Sequence, residues 1–195
     1  MNRIGILGGT FDPPTFAHLQ LAMFALGTDK VDQVWLVPCW EHAFGKQPSK
    51  FEDRDKMCRL AVEAVFGKGP GCKVDVKPYE ALWKIHYTVD LVERLIKQYP
   101  DFTFTLILGA DNLRDAAKWH HWEDILLMTD PPIIVGRPGV TVEGYVPDFE
   151  CLPISSTMVR EAAQLENYGD CKQWAPAAVI QYFTESYLYR KSESR

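Results

Sequence analysis

The chain has 195 residues, of which 47% are hydrophobic and 24% are charged, and its formal net charge is −5. This composition is typical of a globular chain with a substantial core, and the acidic balance argues against broad non-specific binding to nucleic acid, which needs a basic face. No apolar stretch approaches the roughly 18 residues that a membrane span requires, so we expect no membrane partner.

Apolar strands alternate with helical patterns along most of the sequence. Strands are predicted at residues 3–7, 31–37, 73–76, 102–108 and 133–136. Helices are predicted at residues 16–27, 51–66, 87–99, 119–128, 155–163 and 176–189. This alternation is typical of an α/β fold, in which a parallel sheet has helices on both faces. We therefore predict one Rossmann-like, doubly wound domain over residues 1–195, with a C-terminal helical part at about 155–190.

Glycines follow three of the predicted strands, in Gly8-Gly9-Thr10, Gly109-Ala110-Asp111 and Gly136-Arg137-Pro138. In an open parallel sheet, ligands bind beyond the carboxyl ends of the strands. Glycine there lets a ligand approach the backbone, and the next helix offers free N–H groups to an anion. One such turn alone is more typical of a plain tight turn, but the recurrence at strand ends favours a ligand site.

Two side-chain clusters near helix starts have phosphate-binding chemistry. His18 follows Thr15 by three residues, so an imidazolium and a hydroxyl could donate hydrogen bonds to a phosphate from one helix face. The Ser155-Ser156-Thr157 run opens a later helix that carries Arg160 one turn in, which predicts a second phosphate cradle. Each cluster also has a structural explanation, a packed histidine in the first case and an N-cap with a solvent-facing arginine in the second.

Six segments of the chain have a recognisable order. The segment GGTFDPPTFAH (8–18) matches G-G-[ST]-F-D-P-x-H-x-G-H, and FEDR, YTVDLVERL, GADNLRDAAKWHHWEDIL, VGRPG and ISSTMVR follow it. Together they resemble the nicotinate- and nicotinamide-mononucleotide adenylyltransferases, a family of the nucleotidyltransferase superfamily marked by [H/T]-x-G-H. The resemblance covers about four-fifths of the chain.

The resemblance implies that the adenylyl group of ATP is transferred to a pyridine mononucleotide, with release of pyrophosphate, in NAD biosynthesis. It implies catalytic roles for His18, Lys46 and Arg160, and Mg²⁺ that is held by ATP phosphates and water rather than by a protein cage. The implied ATP contacts are Gly8, Gly9, Thr10, Phe11, Thr15, His18, Gly109, Asp111, Arg137, Ser156, Thr157 and Arg160. The implied mononucleotide contacts are Thr10, Lys46, Tyr87, Thr88 and Trp119.

The sequence departs from the family pattern at three places. Thr15 stands where the family has its first histidine, and Ala17 stands where it has glycine. Threonine at the first of these positions occurs in pantetheine-phosphate adenylyltransferases. Many bacterial members carry P-P-H-K after the second strand, whereas this chain has EHAFGK (41–46). Lys46 can still reach a phosphate from that loop, and His42 has either a similar role or a surface one.

Two other functions stay open at the level of sequence. A pantetheine-phosphate adenylyltransferase is favoured by Thr15 and disfavoured by Tyr87-Thr88, by the segment 119–122 and by the chain length. A nucleotide-binding regulator without turnover is supported by Thr15 and Ala17 alone. The sequence decides neither between nicotinate and nicotinamide mononucleotide nor the oligomeric state, although the family often forms dimers or larger assemblies.

The number and spacing of the cysteines indicate the redox state of the compartment in which the protein is expected to act. The five cysteines are widely spaced and form no C-x-x-C, so neither a zinc ribbon nor a thioredoxin motif is indicated. Their odd number and the lack of a signal peptide predict reduced thiols in the cytoplasm. No His/Asp spacing predicts a metal site.

Overall fold

The computed structural model describes residues 2–41, 47–143 and 149–190, and the sheet within them has five parallel strands in the order β3-β2-β1-β4-β5. The strands are β1 (Asn2–Gly9), β2 (Gln33–Pro38), β3 (Val74–Val76), β4 (Phe102–Gly109) and β5 (Asp130–Val135). The chain runs outward from β1 to β3 and then returns to place β4 beside β1. The strand order therefore reverses between β1 and β4, and ligands of such sheets bind beyond the carboxyl ends of the strands at this switch.

Helices connect the strands and extend the chain beyond the sheet. They are α1 (Phe16–Gly27), α2 (Phe51–Phe66), α3 (Tyr79–Trp83), α4 (Thr88–Gln98), α5 (Ala110–Asp115), α6 (Trp122–Met128), α7 (Ser156–Gln164), α8 (Tyr168–Trp174) and α9 (Ala177–Glu185). A short 3-10 helix, Ala116–Lys118, follows α5. None of the helices in the described ranges is long and apolar enough to cross a bilayer.

Successive strand residues face two separate cores, because side chains alternate between the faces of a sheet. Leu36 of β2 belongs to a core with Ala22 of α1 and Cys58 of α2. The next residue, Val37, belongs to the core on the other face, together with Val92 of α4. Helices thus cover both faces of the parallel sheet, which confirms the predicted doubly wound α/β fold.

The C-terminal helices form a third apolar cluster outside the sheet. Val159 of α7, Cys171 of α8 and Phe183 of α9 are buried together with Leu19 of α1 and Met57 of α2. The cluster therefore fixes α7 to α9 against the outer sides of the first two helices. Its consequence is that the start of α7 lies beside the turn that follows β1.

Strand β5 begins earlier than the sequence predicts. It includes Pro131 and Pro132, which the sequence analysis placed before the strand. Proline cannot donate a ladder hydrogen bond, and it is confined to edge strands for that reason. Strand β5 is the last strand of the sheet, so the missing N–H groups are tolerated there.

Left-handed residues set two helix boundaries that differ from the prediction. The helix predicted at 119–128 begins only at α6, because His121 before it has φ 53°. The last predicted helix ends with α9, since Tyr187 and Tyr189 have φ of 57° and 62°, which a right-handed helix cannot continue. Helices α3 and α8 were not predicted, because five and seven residues are too few to show a helical period.

Candidate active site

The turn after β1 is shaped by its glycines and by one buried aromatic ring. Phe11 has φ 52° and is 1% exposed, and its ring lies beneath Gly9. A Cβ atom at Gly9 would lie 3.0–3.2 Å from atoms of the Phe11 ring, so a larger residue would displace that ring. Gly8 has open space where a Cβ would stand. This turn therefore exposes backbone at Gly8 over a packed aromatic base.

His18 is held from behind by Thr15, the residue that caps α1. The backbone N–H of Thr15 donates to Nδ1 of His18 at 3.0 Å, and the Thr15 hydroxyl lies 2.8 Å from the same nitrogen. A backbone N–H can only donate, so Nδ1 is an acceptor and the ring proton of neutral His18 is on Nε2. Among the described residues, Nε2 has no hydrogen-bond partner. It is also not one of the buried polar atoms that lack a partner, so it is accessible and can donate to a ligand.

The charge state of His18 follows from its surroundings. Burial is the main cause that lowers the pKa of His18 to about 4, and the positive charge of Arg137 acts in the same direction. The carboxylate of Asp111 opposes them by raising this pKa. The ring is therefore neutral at pH 7, so the donor is an imidazole rather than the imidazolium expected from the sequence.

The ends of β4 and β5 contribute a charged pair next to His18. Asp111 accepts a hydrogen bond from Arg137 at 3.0 Å, and the two form an ion pair. A Cβ atom at Gly109 would stand 2.5 Å from Oδ1 of Asp111, so glycine is required for the carboxylate to fold back over the strand end. The structure thus brings together the second and third predicted strand-end turns.

The start of α7 lies directly against the turn that follows β1. Ser156 donates from its hydroxyl to the carbonyl of Pro13 at 2.7 Å. Arg160 donates to the carbonyl of Asp12 at 2.6 Å and to the hydroxyl of Thr157 at 3.1 Å. The two phosphate cradles predicted separately from the sequence are therefore parts of one site, although they are more than 140 residues apart.

A buried arginine that the sequence analysis did not assign to the site supports the turn from below. Arg54 is 1% exposed and donates to the carbonyls of Thr10 at 2.9 Å and Cys39 at 2.8 Å. It also donates to the carbonyls of Trp40 at 3.2 Å and Ser49 at 2.9 Å. No carboxylate in the described chain lies within ion-pair distance of it. Arg54 therefore ties the turn to β2 and to the residues before α2, mainly through neutral backbone carbonyls.

Glu80 is a second buried group behind the same region. It is a residue of α3, and its carboxylate accepts a hydrogen bond from the backbone N–H of Trp40 at 3.0 Å. Burial raises the pKa of Glu80 to about 7, although the Trp40 hydrogen bond and the positive charge of Arg54 act to lower it. Glu80 therefore changes its charge near neutral pH.

Asp12 connects the turn to two distant segments. Its carboxylate accepts from the hydroxyl of Tyr189 at 2.7 Å and from the backbone N–H of Ser49 at 3.3 Å. Burial, and then the neighbouring Asp12 carboxylate, raise the pKa of Tyr189 well above its usual range, so the phenol keeps its proton and donates. Asp12 lies in a segment that resembles the family, but no feature of the sequence indicated that Tyr189 contacts it.

The aromatic residues predicted to hold a mononucleotide are more open. Tyr87 is 46% exposed, and its ring lies 4.5 Å from that of His120, a residue the sequence analysis did not select. Thr88 is the first residue of α4, and Trp119 contacts Trp122 edge to face at 5.6 Å. A surface depression of about 650 Å³ is lined in part by Trp119, but neither Tyr87 nor Thr88 lines it.

Lys46 and His42 lie outside the described residues. Within the described ranges, no three His, Cys, Asp or Glu side chains form a group that could hold a metal ion.

Known proteins match the chain in sequence and in structure. A family profile described as Cytidylyltransferase-like matches residues 6–162. A protein of Anaeromyxobacter sp. (strain K) named "Probable nicotinate-nucleotide adenylyltransferase" is 39% identical over 189 residues, 96% of this chain and 97% of that protein. A protein of the same name from Oceanobacillus iheyensis is 34% identical over 194 residues, 97% of each chain.

A solved structure shares the fold. It is entitled "Plasmodium falciparum nicotinic acid mononucleotide adenylyltransferase complexed with NaAD", and it matches with a TM-score of 0.80 at 24% identity. The match covers 97% of this chain and 98% of that one.

Proposed function

Because the chain belongs to the cytidylyltransferase-like family and, within it, to the nicotinate-nucleotide adenylyltransferases, we propose that it joins ATP and nicotinate mononucleotide into a dinucleotide for NAD biosynthesis. A phosphate oxygen of the mononucleotide attacks the α-phosphorus of ATP. The new P–O bond forms as the bond to the bridging oxygen breaks, and pyrophosphate leaves. The protein forms no covalent bond, so its contribution is positioning and charge stabilisation.

The observation that carries this proposal is the meeting of α7 with the turn after β1. The Ser156 and Arg160 side chains bond to backbone carbonyls of that turn, and His18 stands at its far end. The turn thus has a free imidazole N–H at the start of α1 and hydroxyl groups and a guanidinium at the start of α7, which are the kinds of group that bind a triphosphate. We assign Ser156, Thr157 and Arg160 to the β- and γ-phosphates of ATP.

His18 is the residue that we place at the reacting phosphorus. Its Nε2–H donates to a non-bridging oxygen of the α-phosphate, where negative charge develops in the transition state. The neutral ring already carries this proton, and the negative charge of bound phosphates raises the pKa of the ring toward the protonated form. His18 acts as a charge stabiliser, neither as a nucleophile nor as a metal ligand.

The remaining assignments concern the ribose and base of ATP and the pyridine ring of the mononucleotide. We assign Gly8 to Phe11 and Gly109 to the ATP side, where Asp111 faces a ribose and Arg137 lies near the adenine. We assign Thr10, Tyr87, Thr88 and Trp119 to the mononucleotide, with the indole stacked on the pyridine ring, and Lys46 to the phosphates. Mg²⁺ enters as the ATP complex and supplies further charge neutralisation at the phosphates.

A product assay tests the proposal. The chain is incubated with ATP and Mg²⁺ and with nicotinate mononucleotide, nicotinamide mononucleotide or phosphopantetheine in turn, and pyrophosphate is measured. We expect the fastest release with nicotinate mononucleotide. Release with phosphopantetheine alone would contradict the proposal, and binding of ATP without turnover of any acceptor would identify a nucleotide-binding regulator.

We further propose a cytoplasmic enzyme that acts as one domain over its 195 residues. The five free cysteines support a reducing compartment. The family resemblance supports assembly into dimers or larger oligomers, and light scattering of the purified chain measures this directly.

A further inference from the structure

In the described structure, the side chain of Thr15 is not exposed at any surface where a phosphate could contact it. It is 0% exposed, and its hydroxyl is directed to His18, 2.8 Å from Nδ1. A direct contact with ATP would require this side chain to be uncovered and its hydrogen bond to be broken. Its contacts suit a different task.

The backbone N–H and the hydroxyl of Thr15 both contact the same atom, Nδ1 of His18. The backbone N–H donates to Nδ1 of His18 at 3.0 Å, which leaves no hydrogen on that nitrogen. The hydroxyl can then contribute only as a second donor to Nδ1. The two contacts favour the tautomer with its hydrogen on Nε2, and they also fix the plane of the ring.

We propose that Thr15 is a positioning residue that holds neutral His18 as the Nε2–H tautomer, so that the ring donates to the α-phosphate without first being protonated. This role rests on the proposed function for its catalytic consequence, but the tautomer itself does not. Phe11 supports the same orientation from the side, with its ring 5.1 Å from that of His18 and close to edge-on.

The experiment begins with the tautomer, which is independent of turnover. Two-bond ¹H–¹⁵N correlation spectra of the ¹⁵N-histidine-labelled full chain at pH 7 show which ring nitrogen of His18 carries hydrogen, with His18→Gln used to assign the signal. We expect Nε2–H. A ring protonated on Nδ1 would overturn the proposal even if the enzyme were active, and an inactive wild-type chain would contradict only the proposed function.

Three variants then separate positioning from phosphate binding. Thr15→Val keeps the shape and backbone N–H but removes the hydroxyl, Thr15→Ser keeps the donor, and wild type is the reference. Loss of one neutral hydrogen bond lowers kcat about fivefold in Thr15→Val. We expect the KM for ATP to change by less than about twofold, and Thr15→Ser to recover most of kcat.

The titration of His18 gives the last readout. A hydrogen bond to the neutral ring disfavours protonation, so its loss in Thr15→Val raises the pKa of His18, while Arg137 and Asp111 are unchanged. A raised KM for ATP with unchanged kcat would instead make Thr15 a phosphate ligand. Unchanged kcat, KM and titration in a folded Thr15→Val chain would remove any role for the hydroxyl.

Discussion

The turn after β1 is fastened by hydrogen bonds from α2, α7 and the segment after α9, whereas the aromatic residues around Tyr87 and Trp119 are joined by ring contacts. Groups that stabilise developing charge are effective when they need no reorganisation, which requires a rigid support. The Tyr87 ring is 46% exposed and Trp119 is half-buried, and rings on connecting segments at such positions can adjust to a bound molecule. The comparison indicates that the chain holds rigidly the residues that we propose stabilise charge, and leaves more open the residues that we propose recognise the acceptor.

The largest effect that we predict concerns Arg54. Arg54→Met removes a buried guanidinium that donates to four backbone carbonyls, and we expect it to lower the free energy of unfolding by about 4 kcal/mol or more. Urea denaturation measures this loss. The matched control is Arg59→Met on the same helix, an exposed ion pair with Asp55 whose loss should cost less than about 1 kcal/mol. Equal effects would show that the turn does not depend on Arg54.

The next effect is a pH dependence from Glu80. Its pKa is about 7 in the native chain and near 4.5 when unfolded, so the native state binds more protons between these values. Stability from this group is therefore present below about pH 4.5 and is lost as pH rises through 7, by up to about 3 kcal/mol. Glu80→Gln retains an acceptor for Trp40 and should remove this slope.

Unfolding of wild type and Glu80→Gln at pH 5 and pH 8 gives the test. His18 acts in the opposite direction, because its lowered pKa makes its contribution to stability decline as pH falls from 6.5 toward 4. The difference between the two proteins cancels His18 and isolates Glu80. A constant difference across the range would show that Glu80 does not titrate there.

The prediction for His18 tests the charge-handling side itself. His18→Ala removes the donor that we propose contacts the α-phosphate, and we expect kcat to fall about 10²-fold or more with folding unchanged. His18→Gln places an amide donor near the position of Nε2 and should retain more activity than His18→Asn, which cannot reach it. Steady-state kinetics measures all three, and full activity in His18→Ala would refute the role given to this residue.

The smallest effect concerns the open side. Trp119→Ala removes the ring proposed to stack on the pyridine, and we expect the KM for nicotinate mononucleotide to rise about tenfold. The KM for ATP should stay within about twofold, and Trp119→Phe should restore much of the affinity. If the KM for ATP rises instead, the two sides of the cleft are not separate in the way that the comparison assumes.

Much of the fold could be predicted from the sequence, because strong apolar periods marked the strands and longer helices. The limits of α2 agree with the sequence prediction, β4 is one residue longer than predicted, and β1 is three residues longer. Edge placement of β5 and left-handed residues such as His121 depend on tertiary structure, so the prediction missed those boundaries. The short helices α3 and α8 contain too little periodicity to be recognised.

The residues of the candidate site and the residues that support it also differ in how far they could be predicted from the sequence. The glycine turns, His18 and Arg160 could be selected as candidates because their chemistry is local to a strand end or a helix start, and their roles stay predictions. Arg54 had a weaker signal, a charged residue on the helix face that carries Met57 and Ala61. Tyr189 could not be found, since its bond to Asp12 depends on how the C-terminal helices pack.

The bond between Tyr189 and Asp12 also has a consequence for the order of synthesis. The two residues are 177 positions apart, and chains are made from the N-terminus at about 5–20 residues per second. The turn that contains Asp12 therefore waits on the order of 10–35 s for this partner. During that interval the first strands and helices can assemble, but the turn lacks the hydrogen bond from Tyr189. The earliest part of the chain to be translated is thus among the last to reach its final form.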